Sequence, residues 1–547
     1  MDLNSFRIPF ITSAFLVSAL VAKPAGAQTV PAPESPGGAE AKPPTPPAQT
    51  PAAEPPLEPP PPLPPMGATA PTAAPPPAGP GPVPEGPPKA AAAPSAPAFP
   101  QTLVGHYLKD PASTMFNGFR VTLLNFIELD VMHDSTQSFP QGDGFGGSPA
   151  LARSTLTDGT PNYAGQHGRL VISPRNTQLG LQVEAPEFAK IKGTGHCRMD
   201  FMGHEPSNPQ SPPSNLSEAG FYNSPTARVF HCYAKAETPY VDVLGGMTYT
   251  LFGQAPHFFP ASIIYLGLPG MVFARAAQVR LSHQFHTDPI DVYVGAGVFR
   301  PPQRDSGEPD LEGALRVMFN GWRGAHTLGA LGTKIDPLSL GVSGVYRNYK
   351  VQERTAVPVN LNKATGAGVS FDALIPIIPA KNNRDVGNSL TANASFVTGT
   401  GIADQWLGVT GGVPAQTRPP ATPSGPPGPM LNIDPGLALY DPNGDLKTVN
   451  WQSYQVGLQY YLPGPLDIWI MGNYTHLSSS NLSRIAPWDG KSVSTVFDKQ
   501  DYFDVDLFWA LTPNLQIAFG YANTRQTFLD GGKETNDRFM GATYYIF

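Results

Sequence analysis

The stretch Arg538-Phe539-Met540-Gly541-Ala542-Thr543-Tyr544-Tyr545-Ile546-Phe547 carries Phe539, Thr543, Tyr545 and Phe547 on one parity and stops on an aromatic ring. Side chains alternate across a strand, so these four share one face. A strand of this kind suits the seam of an outer-membrane barrel, whose last strand must pair with its first so that no open edge meets lipid. On that expectation Phe539, Tyr545 and Phe547 serve as the membrane-insertion signal. An ordinary amphipathic edge strand alternates in the same way, so the rest of the chain decides.

The chain has 547 residues, among them 66 Pro and 56 Gly, with 14% charged residues and a formal charge of -7. That balance argues against a nucleic-acid binder. Apolar residues are scattered, and beyond residue 30 no run approaches the roughly 18 that a membrane helix needs. A chain that spans a membrane without such runs does so as a closed barrel. Residues 1–27 read as a signal peptide, with Arg7, an apolar stretch from Ile8 to Val21 and Ala25-Gly26-Ala27 as a small-residue cleavage site. A retained anchor helix is the alternative. Residues 28–100 form a Pro/Ala-rich tract, including Pro59-Pro60-Pro61-Pro62, expected to be a disordered, extended periplasmic linker. At about 3.1 Å per residue it reaches on the order of 200 Å, enough for a contact with peptidoglycan or for a plain spacer.

Residues 101–547 read as short alternating segments split by turn residues. The first strand is expected at 119–133, the second at 169–184, then 191–203, 226–237 and 240–251. The rhythm continues at 273–286, 290–298, 311–319, 326–349, 364–377, 388–398, 451–461, 466–476, 500–511, 515–524 and 538–547. The expected fold class is all-β, a transmembrane antiparallel β-barrel of about 16 strands, with 311–377 the stretch where the count could slip. Short turns (Thr238-Pro239, Asp288-Pro289, Pro463-Gly464-Pro465, Thr512-Pro513-Asn514) fall at one end and long loops at the other. Along the later strands, Tyr454, Val456, Leu458, Val505, Leu507 and Phe519 share the lipid-facing parity, while Gln455, Gln459, Asp467, Asn473, Asp504 and Asp506 face the interior.

Four segments resemble strand elements of Gram-negative porins, most closely the DcaP type. They are Ser173 to Leu181, Gly195 to Gly203, Arg228 to Ala234, and Leu244 to Phe252. The resemblance implies a trimeric, 16-stranded channel for small, often dicarboxylic, anions in the outer membrane of a Gram-negative bacterium. Gly246 stands where the family pattern has Gln, and the Pro-rich tract stands where it has a coiled-coil N-terminus.

Function in a pore lies in its narrowest part. The segment 253–270 sits where porins fold a loop inward, which makes Gln254, His257, Phe258, Phe259 and Tyr265 the expected constriction. Inward parity presents Arg198, His231, Lys235, Arg280 and Arg316, with Asp200, Asp242 and Asp291 of opposite sign. Side-chain charges in a pore select ions by local field whatever the net charge. A basic cluster from the third to eighth strands facing acidic loop residues would favour anions; solvated charges without selectivity are the plain alternative.

Cys197 and Cys232 are the only cysteines. Both lie on outward parity of strands expected to be adjacent, so a cross-strand disulfide and two free thiols are both open. If Cys197 stands opposite Cys232, then Arg198 stands opposite His231. The neighbouring His196 and His231 point to the other face, so the four cannot converge on a metal. No cofactor and no catalytic constellation is expected. The function expected is passive diffusion of small hydrophilic solutes; an outer-membrane adhesin or tether, or a barrel-borne lipid hydrolase, is the alternative.

Overall fold

The computed structural model describes residues 113–547 except 140–149, 157, 204–225, 260–261, 264–266, 304–305, 328–332, 383–384, 407–410, 423 and 487–494. The expected signal peptide and Pro-rich linker lie outside the described residues. Nineteen strand segments share one sheet. One is a short N-terminal segment, Ser113–Phe116, that folds back on the next. Two barrel strands are each broken in two, which leaves sixteen antiparallel strands among the described residues.

These are β1 (Phe119–Leu123 with Phe126–Asp134), β2 (Arg169–Ser173 with Leu179–Glu184), β3 (Lys192–Gly203), β4 (Thr226–Glu237), β5 (Asp242–Tyr249) and β6 (Arg275–His286). There follow β7 (Ile290–Phe299), β8 (Asp310–Thr327), β9 (Thr333–Gln352), β10 (Leu361–Ile378) and β11 (Leu390–Thr400). The last are β12 (Asn450–Tyr461), β13 (Ile468–Ser479), β14 (Phe497–Thr512), β15 (Leu515–Phe528) and β16 (Lys533–Ile546). Each pairs with its neighbour in sequence. The ladder returns to its start, because β16 pairs with β1 from Arg538 opposite Asp134 to Ile546 opposite Phe126.

The strand count agrees with the sequence expectation, while several limits move for physical reasons. The second strand breaks at Pro174, which has no amide to give to the ladder; Thr177 N–H donates to the Pro174 carbonyl and turns Arg175 and Asn176 inward. The expected break between 319 and 326 is a register shift inside β8, and the chain stays in the sheet to Thr327. The segment expected at 240–251 is shorter, since Thr250 already leaves the ladder. The last strand begins at Lys533, just after the Gly531-Gly532 turn.

Two of the short turns share one device. Thr238 Oγ accepts from the amides of Tyr240 and Val241 at 3.2 and 3.0 Å, and Thr512 Oγ accepts from Asn514 and Leu515 at 3.2 and 3.0 Å. In each the Pro that follows has no N–H in need of an acceptor, and the threonine oxygen accepts from the next two amides.

The faces sort as expected. Ile127, Leu129, Val456, Val505, Phe519, Phe539 and Tyr545 are exposed on the outer wall, while Glu128, Asp134, Gln455, Asp504, Asp506 and Arg538 are buried inside. Apolar outside and polar inside is the reverse of a water-soluble sandwich. Asp467 departs from the expectation: it is a turn residue with φ of 47° just before β13 and not an interior strand position.

Candidate pore and constriction

The segment after β5 folds into the barrel and crosses it. Phe252 N–H donates to Glu312 Oε2 on β8 at 3.0 Å, and Gly253 N–H to Ser343 Oγ on β9 at 2.8 Å. Gln254 Nε2 then reaches Gln455 Oε1 on β12 at 3.1 Å. Farther on, Tyr544 of β16 donates its hydroxyl to the Ile263 carbonyl at 2.6 Å, and Thr475 of β13 donates to Pro269. The far half of the loop packs its apolar side chains, Phe259, Ile263, Leu268 and Met271, into one cluster with Trp469, Phe508 and Tyr544 of the wall. Burial of that many apolar groups fixes the far half of the loop against β13–β16 inside the barrel.

Of the residues expected in the constriction, Gln254, Phe258 and Phe259 are buried inside the barrel, and His257 lies beside Tyr293 with ring centroids 5.0 Å apart. Tyr265 lies outside the described residues. Burial and then the charge of Arg316 hold His257 well below the usual imidazole range, so this loop histidine is neutral. His257 and Phe258 line a cavity together with Tyr293, Arg316, Lys334 and Asp336 of the wall.

The basic side chains expected in the lumen all point inward, but they are not equivalent. Lys235 pairs with Glu237 at 2.5 Å and with Asp242 at 3.1 Å. Arg316 is tied to Asp372 and to Ser339 Oγ, and lies over the Phe258 ring. His231 bonds Thr248 at 3.1 Å. Arg280 is buried at 4% exposure. Arg198 meets the Phe230 ring 5.3 Å away, and among the described residues no carboxylate is paired with it. Room for it comes from Gly180, where a Cβ would sit 2.8 Å from the Cβ of Arg198.

Asp200 is held by Arg228 through two bonds of 3.0 and 2.6 Å, and Asp291 bonds His286 and Gln284 at 3.1 Å each. The expected acidic loop residues opposite the basic arc are not there, since 250–274 contains no Asp or Glu. Carboxyl groups on the far side come instead from the wall, from Glu128 and Asp130 on β1 and from Asp504 and Asp506 on β14, all buried. Asp504 and Asp506 are among the residues expected inside from the sequence; Glu128 and Asp130 are not singled out there.

Cys197 and Cys232 stand opposite each other and are bonded, with Cα atoms 4.1 Å apart. Arg198 accordingly faces His231 across the same ladder. Replacing both cysteines by Ser is expected to cost about 3–4 kcal/mol in a chain-entropy estimate for a crosslink of this span. Heating in detergent reads it as loss of folded electrophoretic mobility at a lower temperature than for the parent; an unchanged transition would refute it.

Among solved structures, the chain is similar to the outer membrane channel DcaP of Acinetobacter baumannii, at TM-score 0.53 and 15% identity, over 80% of this chain and 100% of that one. The anion-selective porin from Comamonas acidovorans gives 0.42 at 10% identity over 78% and 100%, and OprB of Pseudomonas putida gives 0.41 at 12% over 79% and 94%. Those two are too distant to bear on function. No family model and no curated protein matches the sequence. At 15% identity the likeness to DcaP speaks for the fold alone, an antiparallel β-barrel like that of the DcaP channel.

Proposed function

We propose that the chain is an outer-membrane porin through which small hydrophilic solutes diffuse passively, with a preference for small anions such as dicarboxylates. The observation that carries this is the inverted barrel itself, with a charged interior, an apolar outer wall and one loop narrowing the lumen. Such a wall is stable only in contact with lipid or with other copies of the chain, and such a lumen only in contact with water. Polar side chains line the path, as a conduit for hydrophilic solutes needs. Residues 1–27 act as the export signal and 28–100 as a periplasmic spacer that reaches toward peptidoglycan. A homotrimer would bury part of the apolar wall.

Anion preference follows from Arg198, whose guanidinium no carboxylate neutralises among the described residues. Liposome swelling tests it. Small anionic solutes are expected to enter proteoliposomes faster than cations of equal size, and Arg198→Ala to narrow the difference. Equal rates for both signs in the parent protein would dismiss the preference.

A further inference from the structure

The connection from β11 to β12 carries a short segment that grips the inner loop from above. Gly401 turns the chain inward at φ of 62°, and its amide donates to the Val449 carbonyl at 2.8 Å, which closes the base of the long connection. Ala403–Trp406 then forms one 3-10 turn with Ala403, Gln405 and Trp406 buried.

Three fixings hold this turn to the wall. Arg347 on β9, 1% exposed, bridges Asp310 Oδ2 at 2.9 Å and Asp404. Trp406 Nε1 donates to Ser453 Oγ on β12 at 2.8 Å. Ile402 seats in a dent left by two glycines, since a Cβ on Gly368 or Gly399 would come within 2.7 or 2.5 Å of its Cδ1. A seat of this kind accepts one side chain in one position.

The same turn reaches both feet of the inner loop. Phe252 and Val272 stand where the loop leaves and rejoins the wall, and both pack in one apolar cluster with Ile402, Ala403 and Trp406. Phe273 N–H donates to the Gln405 carbonyl at 2.8 Å. From these contacts we infer that Gly401–Trp406 is a strap that holds both feet of the inner loop, with Arg347 and Asp404 as positioning residues for the constriction. The width of the channel is then set in part by an outer connection that does not line its narrowest point. This rests on the barrel's being a conduit.

Removing Asp404 unhooks the strap while Arg347 keeps Asp310, so Asp404→Ala disturbs the wall least. The test places a single cysteine at Gln254, buried beneath the strap, in the parent and in Asp404→Ala; Cys197 and Cys232 are bonded and do not react. A thiol reagent is expected to label Gln254→Cys severalfold faster in the Asp404→Ala background, with Asp404→Glu restoring slow labelling. Single-channel currents of Asp404→Ala are expected to be larger and to fluctuate.

Equal labelling rates and unchanged currents in folded Asp404→Ala would overturn the inference. Ile402→Ala, which empties the glycine seat, gives the same reading if the first variant does not fold. Should the parent carry no current while labelling still depends on Asp404, the strap stands and the conduit falls.

Discussion

Phe519→Arg is expected to keep the barrel from inserting. Phe519 is 57% exposed on the outer wall of β15, flanked by Leu507 of β14 and Gly541 of β16. A lipid-facing Arg near the bilayer midplane of such a barrel costs about 2–4 kcal/mol. The paired control is Gln284→Arg, an inward position at the cavity where the new guanidinium meets Asp291, which already bonds Gln284 at 3.1 Å. Folding into vesicles, read as heat-modifiable mobility, is expected to fail or slow strongly for Phe519→Arg and to proceed for Gln284→Arg. Equal folding of the two would mean that the faces are wrongly assigned.

The second large effect sits at the seam between the last strand and the first. Arg538 donates to Asp134 through Nε at 2.6 Å and Nη2 at 2.8 Å, and both side chains are 2% exposed. Asn536 Nδ2 adds a bond to Asp134 at 2.8 Å, and Thr136 bonds Asn536 in turn. Asp134→Ala removes the carboxylate that holds both Nε and Nη2 of a buried guanidinium, a loss of about 3–5 kcal/mol. Replacing both partners by Leu removes the buried charge as well and is expected to recover most of that loss. Unfolding in denaturant should order the proteins as parent, double variant, single variant. A single variant as stable as the parent would show that the seam does not depend on this pair.

The barrel was legible in the sequence because its signal is periodic and repeated. Tyr454, Val456 and Leu458 point one way and Gln455 and Gln459 the other, and each further strand repeats that arrangement, so errors at single positions do not change the count. Limits were less legible. The continuation of β8 through the register shift after Phe319 depends on its partner β9, which no local pattern announces. The break at Pro174 was available from the residue type, since proline gives no amide to a ladder.

The pore was legible by face and not by partner. Parity placed Arg198, His231, Lys235, Arg280 and Arg316 inside, and the structure puts them there. It could not show that Lys235 and Arg316 are answered by Glu237 and Asp372. Nor could it show that Arg347 joins Asp310 to Asp404, because that bridge links a strand to a distant connection. Ion pairs between elements far apart in sequence follow from the closed fold and leave no local pattern. The inward course of 253–270 came through family likeness, and the physical cause, a run of apolar residues with no exposed face left to cover, appears only once the wall of β13–β16 is in place.

Whether the polar lumen is a continuous path for ions is read out in a planar lipid bilayer. With a salt gradient, the purified protein is expected to give stepwise currents that scale with salt concentration and a reversal potential displaced toward the anion. A folded, inserted barrel that carries no current would contradict a continuous path.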